Sequence, residues 1–531
     1  MGSVGARTLA GVKLPTIKLD TTLAELYKRA LPKNDNSRIA WVSCGTSSGV
    51  DLTPDVPRNA KYIYEEQVFV TASRNDLKNG NAALQASLAK KYLSHIPQRD
   101  AFITGNAPAV FFNLSQTPEQ VEHDRREAEE TISVLDPSQR PNLIFCPGPA
   151  KIPMKEHGID KLQYKVILDG LEGYPLTQDL EVHWLLNSKA GLARSGLPTP
   201  KSDIIETEGC APPAHSCCNF CSEAAKDTSH LPTIPSECTG PRGQWLSSQM
   251  DRILSAVRSR PVPFVFKTQQ AFGGAGTWLI TSPSQKSQLL ADLSGSSSSS
   301  SGGTTSDKKH KGDDDGLLRR LLSLLTPANA HLSPTAVLLT DIVRDPIGDY
   351  GLTFIVTATG EPLFLAAAEQ MLTADGTCAW VGSTIHYARQ DGLRRRFAAL
   401  MEQITAWVAR HGYVGPVGAD VLEARDGGSC YVVDLNVRTC GSLSLPLLRG
   451  HFVSRGLGCA SSFSITVKGG RREFVEKWRG PFEEGRMLIL SWYEDRATGE
   501  SIADVVVGGE DEERLMELMT RVRESTEEVT F

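Results

Sequence analysis

Short apolar runs alternate with amphipathic stretches along the first third of the chain. Mainly apolar runs, which predict strands, occur at residues 38–45, 67–72, 109–114 and 142–146. Residues 118–135 instead have the polar and apolar spacing of a helix. Because buried strands that alternate with helices are typical of doubly wound sheets, we predict an α/β domain over residues 37–180. Residues 1–36 carry little pattern and are predicted to be an N-terminal extension.

The middle of the chain combines helical patterns and short strands with two unusual stretches. We predict helices at residues 178–195, 246–259, 284–293 and 317–325, and strands that begin at Val262 and span residues 336–343. The first unusual stretch, residues 206–244, is rich in Cys, Pro and Ser. The second, residues 294–316, is of low complexity, with a serine run before lysines and aspartates. A segment of this second composition cannot bury a core, so we predict a disordered surface insertion.

The last third of the chain predicts antiparallel pairs and one long helix. A hairpin pattern covers residues 351–358 and 362–367 around Gly360. A helix is predicted over residues 393–410, because apolar positions recur there at the spacing of one helix face. These positions are Leu393, Phe397, Leu400, Ile404 and Val408.

A second hairpin brings two carboxylates together. Strands are predicted at residues 418–424 and 429–435. The turn between them is Asp426-Gly427-Gly428, which favours a tight reversal. With a three-residue loop, Arg425 pairs with Ser429. Asp420 then lies directly opposite Asp434.

This pairing predicts a metal site. Asn436 lies two residues beyond Asp434 and therefore points to the same face of the hairpin. Opposed side chains lie about 5 Å apart, so two carboxylates repel each other unless a cation lies between them. We predict Mg²⁺ there, bound by Asp420, Asp434, Asn436 and phosphate oxygens. The alternative is a pair of solvated aspartates on an exposed hairpin, which the apolar neighbours Val421 and Val432 disfavour.

An apolar strand followed by a glycine loop suits the binding of a nucleoside triphosphate. The strand delivers Lys267, and the loop that follows contains Gly273, Gly274, Gly276 and Thr277. The lysine offers a fixed cation, and the amides of a glycine loop offer donors to phosphate without side-chain bulk. No Gly-x-x-x-x-Gly-Lys-Ser/Thr sequence is present, which excludes the phosphate loop of that type.

In their order, the glycine loop and the metal hairpin resemble the ATP-grasp superfamily over residues 187–448. The segment from Asn187 to Pro200 is similar to the family's opening lysine, short helix and Gly-Ile-Pro-x-Pro. The resemblance implies that Lys189 and Lys267 bind phosphate and that the glycine loop closes over it.

Two further segments carry the resemblance. Residues 338–343 are similar to the family's hinge strand, which implies that the backbone of Asp341 and Val343 meets the adenine edge. Residues 433–438, Val-Asp-Leu-Asn-Val-Arg, are similar to the signature Glu-Ile-Asn-Pro-Arg. This match implies that the magnesium ligands are the three residues named above and that Arg438 contacts phosphate or substrate.

The sequence departs from the family pattern at three positions. Thr340 replaces a hinge glutamate, Asp434 replaces Glu, and Val437 replaces Pro. The first departure leaves adenine recognition to backbone groups. The second shortens a metal ligand by one methylene. None of the three removes a necessary donor.

The resemblance also implies an architecture and an activity. The fold would be α/β plus α+β, with a Rossmann-like pre-ATP-grasp domain followed by a two-subdomain ATP-grasp fold over residues 181–335 and 336–531. The chain is most similar to carboxylate–amine ligases, including fungal proteins of unknown substrate. It would use ATP and Mg²⁺ or Mn²⁺ to join a carboxylic acid to an amine or amino acid through an acyl phosphate, releasing ADP and phosphate. Lys267 and Arg438 would be its catalytic residues, and a homodimer is compatible with this resemblance.

Two alternatives to a ligase stay open. The first is a small-molecule kinase with the same fold, and the second is a nucleotide-binding sensor or scaffold without catalysis. Lys267, Asp434, Asn436 and Arg438 argue against the second.

Composition narrows the partners. Of 531 residues 40% are hydrophobic, and the net charge is -6 without a long basic run, which argues against nucleic acid and anionic membranes. No apolar run approaches the ~20 residues of a membrane span, and no secretory signal is visible. The 11 cysteines lie mostly in apolar segments, which predicts reduced thiols in the cytoplasm.

The Cys-rich stretch offers a second candidate metal site. Its metal-ligating residues are Cys210, His215, Cys217, Cys218, Cys221, His230 and Cys238. Because Cys217 and Cys221 lack a clean second pair, we prefer a flexible thiol-rich insertion over a zinc site.

Overall fold

The computed structural model describes residues 7–64, 82–226, 233–271, 276–295, 316–372, 380–425, 428–496 and 498–528. The first part contains β1 (Arg7–Leu9), β2 (Val12–Leu14), α1 (Leu23–Ala30), β3 (Ile39–Val42), α2 (Ala82–Thr104), β4 (Pro108–Phe112), α3 (Pro118–Ser133), β5 (Asn142–Cys146) and β6 (Lys161–Tyr164). The middle contains α4 (Leu180–Asn187), α5 (Lys189–Arg194), β7 (Ser202–Ile205), α6 (Asn219–Ala224), α7 (Pro241–Ser259), β8 (Phe264–Thr268), β9 (Thr277–Ile280), α8 (Pro283–Ser294), α9 (Leu317–Ser323) and β10 (Val337–Thr340).

The last part contains β11 (Gly348–Val356), β12 (Pro362–Leu372), β13 (Trp380–His386), α10 (Gln390–Ala409), β14 (Gly415–Glu423), β15 (Cys430–Asn436), α11 (Ser444–Leu447), α12 (Arg449–Val453), β16 (Cys459–Lys468), α13 (Arg471–Lys477), α14 (Arg479–Glu483), β17 (Met487–Asp495), β18 (Glu500–Gly509), α15 (Glu512–Glu524) and β19 (Glu527–Glu528). Short 3₁₀ helices lie at Pro137–Gln139, Pro149–Lys151, Ala214–Ser216, Ala330–Leu332, Tyr387–Arg389 and Gly441–Leu443.

The first domain is built on a parallel sheet of order β5-β4-β3-β6. Every residue of β3 and β4 is buried, as expected for strands covered on both faces. The predicted strand at residues 67–72 lies outside the described residues. The parallel sheet agrees with the predicted α/β class, and the Rossmann-like assignment stays a prediction.

A smaller antiparallel sheet of order β7-β10-β8-β9 carries the predicted phosphate lysine. Along β8, Phe264 and Phe266 are buried against α7, α8 and α9, so Lys267 points to the opposite face. Strand β10 lies beyond the predicted boundary at residue 335 but pairs with β7 and β8. The other domain boundaries stay predictions.

The third sheet is antiparallel, with the order β15-β14-β11-β12-β13-β16-β18-β17, and β19 pairs with β16. Helix α10 covers one face, where Phe397 and Ile404 pack in one cluster with Ala419 and Val421. Side chains alternate between the two faces of a strand. Asp420 therefore lies on the face away from α10.

The described part of the N-terminal extension packs between the parallel sheet and the large sheet. Thr22 caps α1 in a capping box with Glu25. Leu26 and Tyr27 of this helix are buried in a cluster that also contains Trp41 of the parallel sheet and Ile355 of the large sheet. No helix in the described part of the chain is long and apolar enough to cross a membrane.

A buried charge cluster connects α2 to the large sheet. Asp504 of β18 accepts hydrogen bonds from Ser464 and from Ser491, the latter at 2.9 Å, and lies 3.5 Å from Arg99 and 3.8 Å from His95. Burial alone would raise the pKa of Asp504, but the charges of His95 and Arg99 and the serine hydroxyls lower it. The carboxylate therefore stays ionised inside the protein.

Candidate functional site

The hairpin of β14 and β15 places Asp420 opposite Asp434, as predicted, although the predicted pairing of Arg425 with Ser429 is wrong. The amide of Ala424 donates to Ser429 O at 2.9 Å, so these two residues pair instead of Arg425 with Ser429. A β-bulge at Val433 then shifts the register by one residue and restores the pairing of Asp420 with Asp434. Turn and bulge compensate each other, which is why the predicted pair is correct.

The bulge also sets which side chains leave the core. Val432, Leu435 and Val437 are buried on the α10 side, and Val432 and Leu435 can share that face only because Val433 is the extra residue. Asp434 and Asn436 therefore point to the face of Asp420. The structure brings all three predicted magnesium ligands onto one face of the hairpin.

Asp420 lies among polar groups that the sequence did not reveal. Gln370 Nε2 donates to Asp420 Oδ1 at 2.8 Å, and Gln370 Oε1 accepts from Trp380 Nε1 at 2.7 Å. A Cβ at Gly351 would lie 2.8 Å from Gln370 Nε2, so this glycine leaves room for the amide. Burial and the charges of Asp434 and Asp349 raise the pKa of Asp420 to about 7.

The two predicted phosphate lysines both reach this hairpin. Lys189 Nζ forms an ion pair with Asp434 Oδ1. Lys267 Nζ donates to the carbonyl of Val433, the bulged residue, at 2.6 Å. Lys189 belongs to α5 and Lys267 to β8, so three elements far apart in sequence meet at one point.

Charge and burial perturb these groups strongly. Burial and the charge of Lys189 lower the pKa of Lys267 to about 8, although Asp434 and Asp420 act in the opposite direction. Burial favours the neutral form of Asp434, but the charges of Lys189 and Lys267 outweigh it and lower the pKa of Asp434. Opposed pKa shifts of this kind are typical of functional sites.

The predicted helix at residues 178–195 is two helices, and the break positions Lys189. Ser188 has an extended backbone and caps α5 by accepting a hydrogen bond from the Gly191 amide at 2.9 Å. A Cβ on Gly191 would lie 2.3 Å from Leu185 O, so only glycine fits this close approach. Lys189 N donates to Gln269 O at 3.1 Å, which ties α5 to the start of the glycine loop.

Asn187 links the same helices to the metal hairpin. Its Oδ1 accepts from the Val437 amide at 2.9 Å, and its Nδ2 donates to His183 O at 2.9 Å. This residue therefore fixes the distance between Lys189 and the strand that carries Asp434.

The described part of the glycine loop agrees with a tight backbone. Gly276 has a φ of +75°, a backbone conformation that residues with a side chain rarely adopt. Its carbonyl accepts a hydrogen bond from Thr268 N at 2.9 Å. Thr277 pairs with Lys267 in the sheet. Gly273 and Gly274 lie outside the described residues, so their predicted role stays a prediction.

At the predicted adenine hinge, one backbone donor is already used. Asp341 N donates to Lys201 O at 2.8 Å, and the Asp341 carboxylate forms an ion pair with Arg260. Only the carbonyl of Asp341 could therefore meet an adenine. The role of Val343 stays a prediction.

Arg438 lies where the hairpin meets the first domain. Its charge acts on Asp434 and on the buried Lys165. Lys165 Nζ binds Asp100 Oδ1 at 2.9 Å, and Thr439 Oγ1 donates to Asp100 Oδ2 at 2.6 Å. Burial lowers the pKa of Lys165 to about 8 despite its ion pair with Asp100. The site thus continues as a cationic region towards the parallel sheet.

The donor set of the hairpin fits a hard divalent cation. Two carboxylates and one amide are oxygen ligands of the type that Mg²⁺ prefers. Burial, and after it the charges of Asp434 and Asp349, raises the pKa of Asp420, and a bound cation would oppose both effects.

Several residues of the site were not predicted from the sequence. Gln370, Asp349, Asn187 and Lys165 are isolated polar residues in apolar or helical segments, and their spacing gives no signal. Asp349 is connected to the site by strand alternation. It lies two residues before Gly351, which pairs with Asp420, so Asp349 and Gly351 share one face of β11.

Comparisons with known proteins find similarities to solved structures at low sequence identity. No family model and no curated protein matches the chain. Among similar solved structures is an ADP complex of N5-carboxyaminoimidazole ribonucleotide synthetase, with 10% identity over 97% of this chain and 98% of that chain and a TM-score of 0.45. The N5-carboxyaminoimidazole synthetase of Staphylococcus aureus with ADP has 9% identity over 92% and 96%, with a TM-score of 0.45.

A biotin carboxylase from Campylobacter jejuni in complex with β,γ-ATP has 10% identity over 94% of this chain and 93% of that chain, with a TM-score of 0.45. At identities of 10% or less and TM-scores of 0.45, these similarities leave the activity and the superfamily of this chain to its own residues.

Proposed function

We propose that this protein is a magnesium- and ATP-dependent ligase that activates a carboxylic acid as an acyl phosphate and joins it to an amine. One observation carries the proposal: Lys189 and Lys267 converge on the hairpin that holds Asp420 and Asp434. Two ammonium groups beside two facing carboxylates form a site for a polyphosphate and its cation.

The reaction needs this arrangement because a carboxylate is a poor acyl donor. A carboxylate oxygen attacks the terminal phosphorus of ATP, the bond from that phosphorus to the bridging oxygen breaks, and ADP leaves. The amine then attacks the acyl carbon, phosphate departs with the former carboxylate oxygen, and the amine loses one proton. Transfer of this kind depends on positioning and on neutralising crowded negative charge.

Each lysine has a distinct part in that neutralisation. Lys189 is held at the start of α5 by the Ser188 cap and the backbone of Gln269, so its ammonium is presented from a fixed helix end. Lys267 is buried and has a pKa of about 8, so a new negative charge beside it would stabilise its protonated form. Both lysines would exchange their present partners on the hairpin for phosphate oxygens.

Asp420, Asp434 and Asn436 would hold the divalent cation. When bound there, magnesium supplies positive charge to the phosphate oxygens. Gln370 keeps Asp420 oriented through its hydrogen bond, and the amide of Leu435 donates to Asp434 Oδ1 at 2.8 Å. These contacts hold the two carboxylates in place.

The acid substrate would bind beside Arg438. A guanidinium can hold a carboxylate or the transferred phosphoryl through two parallel hydrogen bonds. The charge of Arg438 acts both on Asp434 of the hairpin and on Lys165 of the first domain. The pocket for the acid is therefore expected between the hairpin and the parallel sheet.

Trapping with hydroxylamine tests the reaction. The full chain is incubated with magnesium–ATP, hydroxylamine and a panel of carboxylic acids, and ADP and hydroxamate are measured. A ligase gives acid-dependent ADP with one hydroxamate per ADP. ADP with a stable phosphorylated product and no hydroxamate indicates a kinase instead, and ATP binding without ADP across the panel indicates a sensor or scaffold.

Matched variants test the residues. Asp434→Asn removes one metal-binding charge and should lower turnover by ~100-fold or more. Lys468→Met, which changes an exposed lysine on β16, a strand separated from β14 by three others in the sheet, should leave turnover unchanged. Equal rates in wild type and Asp434→Asn would show that the hairpin is not the site.

A further inference from the structure

Four cysteines of the unusual stretch at residues 206–244 come together in the structure. The Sγ atom of Cys238 lies 3.5 Å from that of Cys217, 3.7 Å from that of Cys218 and 3.4 Å from that of Cys221. All four sulfurs lie within 4.8 Å of one another. Cys210 and His215, which are also described, do not belong to this group.

We propose that Cys217, Cys218, Cys221 and Cys238 bind one Zn²⁺ ion in a closed, structural site. In a tetrahedral zinc–thiolate centre the Zn–S distance is about 2.3 Å, so the sulfurs lie about 3.8 Å apart. The three sulfur separations in the structure are close to this value. A soft set of four thiolates selects zinc over magnesium, so this ion is distinct from the cation of the hairpin.

The expectation of a thiol-rich insertion without a site therefore changes. Cys218-Asn219-Phe220-Cys221 is a Cys-x-x-Cys pair, which the sequence contained. The second pair was hidden because Cys217 is adjacent to the first and Cys238 follows 17 residues after Cys221. Folding, not spacing, brings Cys238 to the others.

The backbone around the sulfurs supports metal binding. The amides of Gly240 and Gly243 hydrogen bond to Cys238, and that of Arg242 to Cys217. Such N–H groups around thiolates are the usual outer partners of a metal site. A Cβ on Gly243 would lie 1.7 Å from Cys238 O, and one on Gly240 would lie 3.0 Å from Cys217 Sγ. Both glycines thus allow the loop to close tightly on the sulfurs.

The position of the cluster indicates a structural role. Cys221 and Cys238 are buried, and all four cysteines pack on the apolar cluster of Leu246, Phe264 and Phe266. Four protein ligands leave no open coordination position, which is typical of structural zinc. The ion would fasten the Cys-rich stretch to α7 and to the strand that carries Lys267.

Zinc binding forms and breaks bonds without any redox change. Four Zn–S bonds form, up to four S–H bonds break, and the protons pass to the solvent, with no change in oxidation state. The proposal does not depend on the ligase activity.

Metal analysis of the full chain tests the site. The chain is expressed with zinc in the medium and purified under reducing conditions, and zinc and iron are measured by mass spectrometry. We expect about one zinc per chain in the wild type and in Cys210→Ser, the matched control from the same stretch. Cys218→Ser and Cys238→Ser should each lose most of the metal. Iron in place of zinc, no bound metal, or undiminished zinc in both variants would overturn the proposal.

A second measurement covers variants that fail to fold. A strong chelator is added to the folded wild type, and metal release and reactive thiols are followed together. Loss of one zinc should expose four further thiols and lower the melting temperature. Replacement of zinc by Co²⁺ should give the absorption of tetrahedral cobalt thiolate. Four cysteines that are already joined in disulfides, or thiols that react equally before and after the chelator, would refute the site.

Discussion

Replacing Lys267 by methionine should stabilise the protein in the absence of nucleotide and weaken its binding of ATP. Lys267 is buried beside Lys189, and its pKa falls from 10.5 to about 8. Each pKa unit corresponds to about 1.4 kcal/mol, so keeping this ammonium charged at pH 7 costs the folded protein about 3 kcal/mol. Methionine has a similar length and no charge. It loses the hydrogen bond to Val433, which is worth about 1 kcal/mol.

The sign of the pH dependence follows from the depressed pKa of Lys267. Between about pH 8 and 10.5 the unfolded chain binds more protons than the folded protein, so the stability contributed by Lys267 rises with pH. At pH 7 the buried ammonium of Lys267 therefore destabilises the protein to the full extent, and above the ordinary lysine pKa of 10.5 this cost disappears. The advantage of Lys267→Met should therefore be largest near pH 7, about 2 kcal/mol, and shrink towards pH 10.

The assay combines thermal denaturation with calorimetry. Without nucleotide at pH 7, Lys267→Met should melt roughly 2–5 °C above the wild type. Its affinity for magnesium–ATP should be about 10–100-fold lower, because a charge-assisted hydrogen bond is worth about 1.5–3 kcal/mol. Lys468→Met serves as the exposed control. A lower melting temperature together with unchanged affinity, or a stability difference that does not vary between pH 7 and 10, would refute the reasoning.

Three further substitutions test buried contacts, two beside the site and one between α2 and the large sheet. Gly191→Ala should lower the unfolding free energy by about 2 kcal/mol or more in urea titration, because the new Cβ would meet Leu185 O at 2.3 Å. Asp100→Asn should cost about 3–5 kcal/mol, since it leaves Lys165 buried without its anion, and adding Lys165→Met should recover part of the loss in the same titration. Asp504→Asn should cost a similar amount at pH 7. Folding lowers the pKa of Asp504, so the stabilisation from its carboxylate is lost only as the pH falls below about 4. The difference in melting temperature between the wild type and Asp504→Asn should therefore shrink only below that pH.

The elements with strong periodicity were predictable from the sequence. The strand at residues 142–146 is present at its predicted bounds as β5, and the long helix predicted at residues 393–410 is present as α10 with its apolar face inward. Both depend on local pattern alone. The break at Ser188 was not predicted, because apolar residues lie on both sides of Asn187-Ser188-Lys189, and the cap competes with the helix only through the tight approach of Gly191.

The candidate site shows the same division. The sequence predicts that Asp420 faces Asp434, but through a pairing of Arg425 with Ser429 that the structure does not have. The bulge at Val433 restores the predicted pair, and it leaves no mark in the sequence because it depends on how the strand packs against α10. Gln370 comes from a strand that meets β14 only through β11, so its contact with Asp420 is a product of sheet order. Predictions from sequence therefore reached the charged residues but not the amide that orients them.

The ion pair between Lys189 and Asp434 has a consequence for the order of binding events. A bare magnesium ion must expel an ammonium from its carboxylate, which then lacks a counterion. A nucleotide that arrives with its cation gives the displaced ammonium a new anion in the same step. Metal and nucleotide affinities should accordingly be thermodynamically coupled, each strengthening the other by the same factor. The internal lysine thus acts as a placeholder that favours the complex over either component alone.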